Sequence, residues 1–268
     1  MEGLPPGAII ATVDWNGCDM MKPARNRLVG AILAFGVVIL FAPPVAAVSG
    51  DGWVSQIGTY DYLVKPDYNG LAPLSSAITG MTLGLGTYDH LNGELVLIGG
   101  VAYRVGIDGV PSIAPVALTT PFLQAVRFNP DRSAPVPPGT PCAGLPALVD
   151  ALAGSVQGMV AVRVRGTFAS LVTRSVPAQS EPYPTLASVV ATQTVFDLGS
   201  RRAALVGFRT GPDFAGTGAP GLHLHGLTAD RSAGGHVISC VAGPDVQLSV
   251  QVTEGVRIIG TRAEDKGF

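Results

Sequence analysis

Apolar and polar positions alternate in short runs over most of the chain, a period that is typical of β-strands. In MVAVRVRGTFASLVTRSV, Val160, Val162 and Val164 alternate with alanine and arginine, so the three valines are expected on one face of a strand. Two such runs, GELVLIGG and VAYRV, are joined by glycines, which predicts a hairpin. The other predicted strands are TTPFLQAVRF, ALVGFRT, GLHLHG with its partner GGHVISCV, and VQLSVQV.

A few segments favour helix or loop instead. LAPLSSAI and PALVDALAGS have the spacing of short helices, and PYPTLASVVATQ is expected to be helical or irregular. The stretch from Asn129 to Gly144 is rich in proline and is predicted to be a loop. We therefore predict an α+β protein with predominantly antiparallel β-sheets in two packed sub-domains and a few short helices.

The N-terminal part of the chain has the pattern of a secretory signal. A pair of methionines precedes the basic stretch KPARNR, the apolar stretch LVGAILAFGVVILFA, and small residues at Val45 and Ala47. Residues 1–47 are interpreted as an upstream segment plus a signal peptide, and residues 48–268 as the folded domain, which predicts a secreted or periplasmic protein. The alternative is an uncleaved anchor, which would be the protein's contact with a membrane. Its apolar stretch is short beside the ~20 residues of a spanning helix.

Composition narrows the class of protein further. The 268 residues include 35 Gly and 22 Pro, which suits a β protein with many turns. The 17 basic and 19 acidic side chains give a net charge of −2, so we predict no nucleic-acid partner. A hydrophobic share of 47% with 13% charged residues excludes both disorder and a long coiled coil.

Two cysteines, Cys142 and Cys240, lie in the predicted folded domain. An even pair in an oxidising compartment permits a disulfide, but the sequence does not decide whether the two Cα atoms lie within bridging distance. The sequence also leaves the oligomeric state open, a homodimer included.

Three of the four histidines fall within fourteen positions. His223 and His225 are two residues apart on a predicted strand, so their side chains project to the same face about 6.6 Å apart along the chain. A ten-residue connection rich in Gly, Asp and Ser allows the next strand to return and present His236 beside them. Three neutral imidazoles with an open fourth position are typical of a catalytic zinc site. In the alternative interpretation, the two strand histidines face solvent and the third caps a turn.

Two other possible metal ligands, Cys240 and His90, are expected to lie outside this cluster. Cys240 shares the strand parity of His236 but lies ~13 Å along the strand, too far for one coordination shell. His90 lies in the polar turn TYDHLNG, where an exposed loop histidine is expected.

Arg174 and Glu94 are candidates for substrate chemistry. Arg174 ends a predicted strand just before a proline turn, where a guanidinium can bind a carboxylate through two parallel hydrogen bonds; a surface arginine is the alternative. Glu94 lies where a turn enters an apolar strand, and it is either an exposed edge residue or a proton-transfer group.

Several of these segments, in this order, resemble the α-acetolactate decarboxylase family. The resemblance covers roughly residues 52–250. It rests on GLGTYDHLNGELVLIGGVAY, TPFLQAVRF, VRVRGTFASLVTRSVPAQSEPYPTL and LVGFRTGPDFAGTGAPGLHLHGLTADRSAGGHV.

The resemblance implies a carbon–carbon lyase that uses Zn²⁺ to convert the small molecule (S)-2-acetolactate to (R)-acetoin and carbon dioxide. It implies that the three clustered histidines are the zinc ligands. It also assigns catalytic roles to Glu94 and Arg174 and substrate binding to Thr87 and Arg174. The proton donor is left open between Glu94 and Arg174.

The sequence departs from the family at its C-terminus. The family has an active-site glutamate in a C-terminal tail, and neither Glu254 nor Glu264 aligns convincingly with it. The alternative function is therefore a catalytically impaired homologue that binds zinc or a small hydroxy-keto acid without turnover. A secreted zinc hydrolase is a third interpretation, which is disfavoured because the sequence contains no HExxH helix.

Overall fold

A computed structural model describes residues 52–154 and 157–260 of the chain. The predicted upstream segment and signal peptide, residues 1–47, lie outside the described residues, as does Glu264. Within the described ranges, no helix combines the length and the apolar character needed to cross a membrane.

The described residues form short helices and mostly short strands. The helices are α1 Tyr60–Val64, α2 Ser75–Ile78, α3 Leu145–Ala153 and α4 Leu186–Ala191, with 3-10 turns at Asp89–Leu91, Cys142–Gly144 and Pro212–Phe214. The strands are β1 Trp53–Ile57, β2 Ala72–Pro73, β3 Leu83–Thr87, β4 Glu94–Ile98, β5 Val101–Val105, β6 Pro111–Ile113, β7 Thr119–Thr120, β8 Leu123–Val126, β9 Arg132–Pro135, β10 Met159–Ser175, β11 Thr194–Asp197, β12 Arg201–Thr210, β13 Gly221–Thr228, β14 Gly234–Ala242, β15 Gln247–Val252 and β16 Gly255–Ile259.

Two seven-stranded sheets account for most of these strands within the described ranges. The first sheet has the order β16-β1-β8-β3-β4-β5-β6, and the second has the order β12-β13-β14-β10-β15-β9 with β11 paired to β10. The pairs are antiparallel except for β1 with β16, which are parallel. The predicted α+β class with mainly antiparallel sheets is therefore confirmed, and both sheets belong to one compact unit.

The 17-residue strand β10 organises the second sheet. Its first half pairs with β12 and its second half with β14, and β12 and β14 are themselves joined through β13. The register of β10 against β14 shifts twice, between Phe168 and Ser170 and between Val172 and Thr173. Irregularities of this kind bend a strand, so β10 can close the sheet into a ring of four strands.

Two clusters of apolar side chains form the core around the second sheet. One lies between the two sheets, and the other lies between the second sheet and α3. Leu85 and Val96 of the first sheet and Val206 and Phe208 of the second belong to one buried cluster, so the two sheets share a core. The predicted valine face of β10 is buried and packs in a second cluster with Leu145 and Val149 of α3. The valine face of β10 is thus fully buried, whereas Arg165 on its other face is exposed.

Most predicted elements are confirmed, but the predicted loop at 129–144 is wrong in part. It contains β9, which pairs with β15, and the 3-10 turn Cys142–Gly144. Strand β9 lies at the edge of the second sheet, where Pro135 can be tolerated because one side of an edge strand needs no backbone N–H donor. A high proline content therefore does not exclude an edge strand in this segment.

Cys142 and Cys240 form a disulfide, which settles the question that the sequence left open. Their Cα atoms are 4.9 Å apart, and the bond closes a loop with a sequence separation of 98 residues. Cys240 is therefore engaged elsewhere than in the histidine cluster.

Reducing this disulfide is expected to lower the free energy of unfolding by about 2–5 kcal/mol, because a long closed loop restricts the unfolded chain. Urea denaturation of the protein with and without a thiol reductant measures the difference. The double variant Cys142→Ser/Cys240→Ser is the control, since its midpoint should match the reduced protein and not respond to reductant. Equal midpoints for oxidised and reduced protein would contradict a stabilising role.

Candidate active site

Two neighbouring strands bring three histidines together. His223 and His225 lie two residues apart on β13, and His225 is the register partner of His236 on β14. The ring nitrogens that face one another are 3.2 Å apart for His223 Nε2 and His225 Nε2, 3.1 Å for His223 Nε2 and His236 Nδ1, and 3.3 Å for His236 Nδ1 and His225 Nε2. These three residues form the histidine cluster.

The glycine before His236 is required by the backbone. Gly235 has φ +127°, and a Cβ at this position would lie 2.5 Å from the carbonyl oxygen of Arg174. Arg174 and His236 are register partners on β10 and β14. Glycine therefore lets β14 approach β10 closely enough to place the guanidinium-bearing strand beside the histidine cluster.

The spacing of the cluster fits a metal ion. In a tetrahedral site with metal–nitrogen distances of 2.0–2.1 Å, neighbouring nitrogens are about 3.3 Å apart. The three observed nitrogen–nitrogen distances lie within a few tenths of an ångström of this value. The His223, His225 and His236 group could therefore hold a metal ion.

The three histidines are neutral, which is the protonation state required for binding a metal cation. His225 Nδ1 lies 2.8 Å from the carbonyl oxygen of Leu95, a pure acceptor, so Nδ1 carries the proton and Nε2 directs a lone pair into the cluster. Burial, with Arg174 as a further cause, lowers the pKa of His223 to about 3. Burial likewise holds the pKa values of His225 and His236 well below the usual range. Neutral imidazoles whose lone pairs converge repel one another unless a cation lies between them.

Glu94 and Arg174 meet beside the cluster from opposite sheets. Glu94 begins β4 in the first sheet, and its Oε1 accepts a hydrogen bond from Arg174 Nη1 of the second sheet at 2.5 Å. Its Oε2 lies 3.4 Å from His225 Nε2. The Glu94 side chain is 6% exposed, and burial raises its pKa to about 6 even though the Arg174 charge lowers it. The ion pair is thus part of the site and is not a surface contact.

Thr87 lies at the end of β3, opposite Glu94 in the hairpin register. Its hydroxyl donates to the carbonyl oxygen of Gly93 at 2.8 Å, which ties together the two ends of the turn between β3 and β4. Thr87 is buried from bulk solvent and lines the same cavity as Glu94.

A cavity of about 550 Å³ contains all of these groups. The three histidines, Glu94, Arg174 and Thr87 line it, and most of the remaining wall is apolar. The main apolar side chains of this wall are Leu63, Leu91, Phe122, Val176, Leu186, Val190, Leu222 and Ile238. A few convergent polar groups in a mainly apolar cavity are typical of a binding site for a small molecule.

Several predicted residues lie outside this arrangement. His90 is not part of the cluster, and its side chain is 47% exposed, as expected for a loop histidine. Glu254 lies in the turn between β15 and β16, where its backbone N–H donates to Gly52, and it does not line the cavity.

Sequence patterns missed two kinds of contributor. The carbonyl group of Leu95 orients His225, and a backbone group leaves no signal in residue identity. The apolar wall contributed by Leu91 and by Leu186 and Val190 of α4 was also missed, because its members look like ordinary core positions.

Two packed antiparallel sheets that enclose convergent imidazoles, a carboxylate and a guanidinium have the features of the class of metal-dependent enzymes. Residues 54–266 match the sequence profile of the alpha-acetolactate decarboxylase family. Because this match spans most of the chain, the protein belongs to that family, which confirms the resemblance noted in the sequence.

Individual relatives agree with this assignment. The chain is 37% identical to alpha-acetolactate decarboxylase of Methanosarcina mazei over 68% of its own length and 64% of that protein. It is 33% identical to the enzyme of the same name from Methylococcus capsulatus over 70% and 72%. The crystal structure of alpha-acetolactate decarboxylase from Bacillus subtilis strain 168 matches with a TM-score of 0.73 and 26% identity, covering 79% of this chain and 91% of that one. The chain thus spans somewhat less than two thirds of the Methanosarcina protein.

Proposed function

We propose that the protein is a zinc-dependent decarboxylase that converts (S)-2-acetolactate to (R)-acetoin and carbon dioxide. The observation that carries the proposal is the histidine cluster beside the Glu94–Arg174 pair in one cavity. Family membership supports the reaction type, since the relatives described above are named for decarboxylation of acetolactate.

Zinc is the metal that the donor set favours. Three neutral imidazole nitrogens arranged as one face of a tetrahedron are the ligands of catalytic zinc sites that keep a fourth position open. A zinc ion bound there would supply a Lewis acid that stabilises negative charge on the ketone and hydroxyl oxygens of the substrate.

Arg174 is proposed to bind and orient the substrate. Its guanidinium lies at the cavity wall with the side chain 14% exposed, so it can reach a carboxylate from within the protein. A planar guanidinium offers two parallel donors to a carboxylate, which fixes the scissile bond in one orientation. Thr87 closes the same part of the wall and limits where the substrate can lie.

Glu94 is proposed to deliver the proton that replaces carbon dioxide. When the carboxylate leaves, the bonding electrons remain on the substrate as an enediolate, and one proton must be added at carbon to give acetoin. Glu94 lies at one side of the histidine cluster, so it would deliver this proton to one face and set the chirality of the product. The hydrogen bond from Arg174 holds Oε1 in place, so the proton would be carried on Oε2, which lies toward the cluster, and would be replaced from solvent after each turnover.

An acetoin assay tests the proposal. Purified protein is expected to form acetoin from racemic acetolactate, to lose this activity when a chelator removes the metal, and to regain it when zinc is added back. Chiral chromatography of the product should give (R)-acetoin alone. Stoichiometric zinc without acetoin formation would contradict the proposal and favour the non-catalytic homologue.

We also propose that the protein is exported with residues 1–47 removed. The support is the basic stretch, the apolar stretch and the small residues that follow it. The mature N-terminus is expected close to Val48, and N-terminal sequencing of the exported protein measures it. Recovery of chains that still begin at Met20 or Met21 would show an anchor in place of a cleaved signal.

A further inference from the structure

A tight turn links two residues of the proposed site. Residues 88–93 connect Thr87, at the end of β3, to Glu94, at the start of β4, and both flanking residues line the cavity. Within this turn His90 has φ 60° and Leu91 has φ 54°. Two consecutive residues with a Cβ in the left-handed region are unfavourable, so neighbouring groups must hold the turn.

Leu91 shows why this conformation matters for the cavity. Its side chain is 3% exposed and lines the cavity near the polar groups of the site. The adjacent His90 points the other way, to the protein surface, and does not line the cavity. The left-handed backbone thus places an apolar side chain inside and an imidazole outside at neighbouring positions.

His90 makes three hydrogen bonds to residues of other segments. Its backbone N–H donates to the carbonyl oxygen of Tyr68 at 2.8 Å, and its carbonyl oxygen accepts from the backbone N–H of Gln179 at 2.7 Å. Its ring Nδ1 lies 2.5 Å from the hydroxyl oxygen of Tyr183. The Tyr183 ring in turn packs against the ring of Tyr68, with centroids 4.9 Å apart.

The direction of the hydrogen bonds at Tyr183 is set by its neighbours. Asn69 Nδ2 donates to Asp67 Oδ1 and Glu181 Oε1, so Asn69 Oδ1 faces Tyr183 as an acceptor. The Tyr183 hydroxyl therefore donates to Asn69 at 3.0 Å, and its oxygen accepts from His90 Nδ1. A chain of directed hydrogen bonds thus runs from Asn69 through Tyr183 to the left-handed turn.

Tyr183 also connects the turn to a second segment that lines the cavity. It precedes α4, whose Leu186 and Val190 line the cavity. The next residue, Pro184, accepts a hydrogen bond from the Tyr68 hydroxyl at 2.8 Å, which fixes the approach to α4. Tyr183 itself does not line the cavity.

From these contacts we infer that Tyr183 and His90 are positioning residues for the proposed reaction. Their hydrogen bond keeps the turn in its left-handed conformation, so that Leu91 and Glu94 face the substrate at fixed positions. Neither residue lines the cavity. The expected effect on kcat/KM rests on the proposed function. The expected effect on the conformation of the turn does not depend on any activity.

Tyr183→Phe tests the inference, because it removes the hydroxyl and keeps the ring. We expect bound metal to be retained and kcat/KM for acetolactate to fall about tenfold, since small misplacements of reacting groups are costly. Tyr103→Phe is the matched control, because the Tyr103 ring packs under Arg231 and does not line the cavity. The comparison requires that the wild type turns over acetolactate. If Tyr183→Phe then has the same kcat/KM as Tyr103→Phe, the inference is overturned.

Hydrogen–deuterium exchange gives a measurement that does not depend on activity. In Tyr183→Phe, exchange is expected to rise in peptides covering residues 88–94 and to remain unchanged in β15. If wild type and control both fail to make acetoin, the proposed function fails while this exchange result still decides the inference. A lowered melting temperature without a local rise in exchange would show a merely structural role and overturn the inference.

A double variant separates this hydrogen bond from other effects. His90→Asn removes the imidazole but keeps a residue that tolerates the left-handed region. If the two side chains act through one hydrogen bond, His90→Asn/Tyr183→Phe should lose no more kcat/KM than the more damaging single variant. Fully additive losses would overturn the inference, and His90→Asn also serves as the test if Tyr183→Phe does not fold.

Discussion

His223→Ala is expected to abolish stoichiometric zinc and to lower kcat/KM by about 10³-fold or more. Two remaining imidazoles leave the ion with too few protein ligands, and loss of the Lewis acid removes several kcal/mol of transition-state stabilisation. His223→Ala removes no second hydrogen bond, since His223 Nδ1 has no hydrogen-bond partner among the described residues. His225→Ala would also remove the hydrogen bond that the imidazole donates to the Leu95 carbonyl oxygen. Metal analysis and the acetoin assay on the same preparation measure both effects.

The fourth histidine of the chain supplies the control for metal content. His90 lies outside the cluster, so His90→Asn should bind as much zinc as the wild type. Full zinc occupancy in His223→Ala, His225→Ala or His236→Ala would contradict the proposed ligand set.

Arg174→Lys is expected to retain zinc and to lower kcat by at least ~10-fold, equivalent to about 1.4 kcal/mol. Lysine keeps the positive charge beside Glu94 but lacks the planar fork that can hold two substrate oxygens at once. Loss of a contact made mainly in the transition state lowers kcat, whereas loss of uniform substrate binding raises KM, and we expect both to change. Steady-state kinetics with acetolactate measure the two parameters.

An exposed arginine gives the matched control for this substitution. Arg202 is 71% exposed in its side chain and pairs with Asp245 at the surface, so Arg202→Lys makes the same chemical change away from the cavity. Its kinetics should equal those of the wild type. Unchanged kinetics in Arg174→Lys as well would show that the bidentate geometry of Arg174 has no part in turnover.

Local sequence periods predicted the second sheet well. The alternation in β10 identified a strand whose valines are buried, and the two-residue spacing of His223 and His225 predicted that they share a face. These features depend on the geometry of a single strand or a hairpin, and that geometry repeats with a fixed period. The convergence of His236 followed from the same reasoning, because the connection before it is short.

Contacts between distant segments could not be predicted in the same way. Glu94 reaches His225 and Arg174 from the other sheet, and no spacing along the chain encodes the packing of one sheet on another. The resemblance to the family supplied Glu94, which its position alone left undecided. The left-handed turn at His90 and Leu91 was also missed, because such turns are usually marked by glycine or asparagine.

The parallel pairing of β1 with β16 has a consequence for how the chain reaches its native state. Val54 of β1 is the register partner of Val256 of β16, although these strands begin and end the described chain. The first sheet therefore lacks an outer strand until residues 255–259 have paired with β1, and contacts of such long range slow folding. Until then β1 presents an unpaired edge, which is the feature through which incomplete sheets associate with other chains. Chains truncated before Gly255 should therefore associate with one another more readily than the full chain.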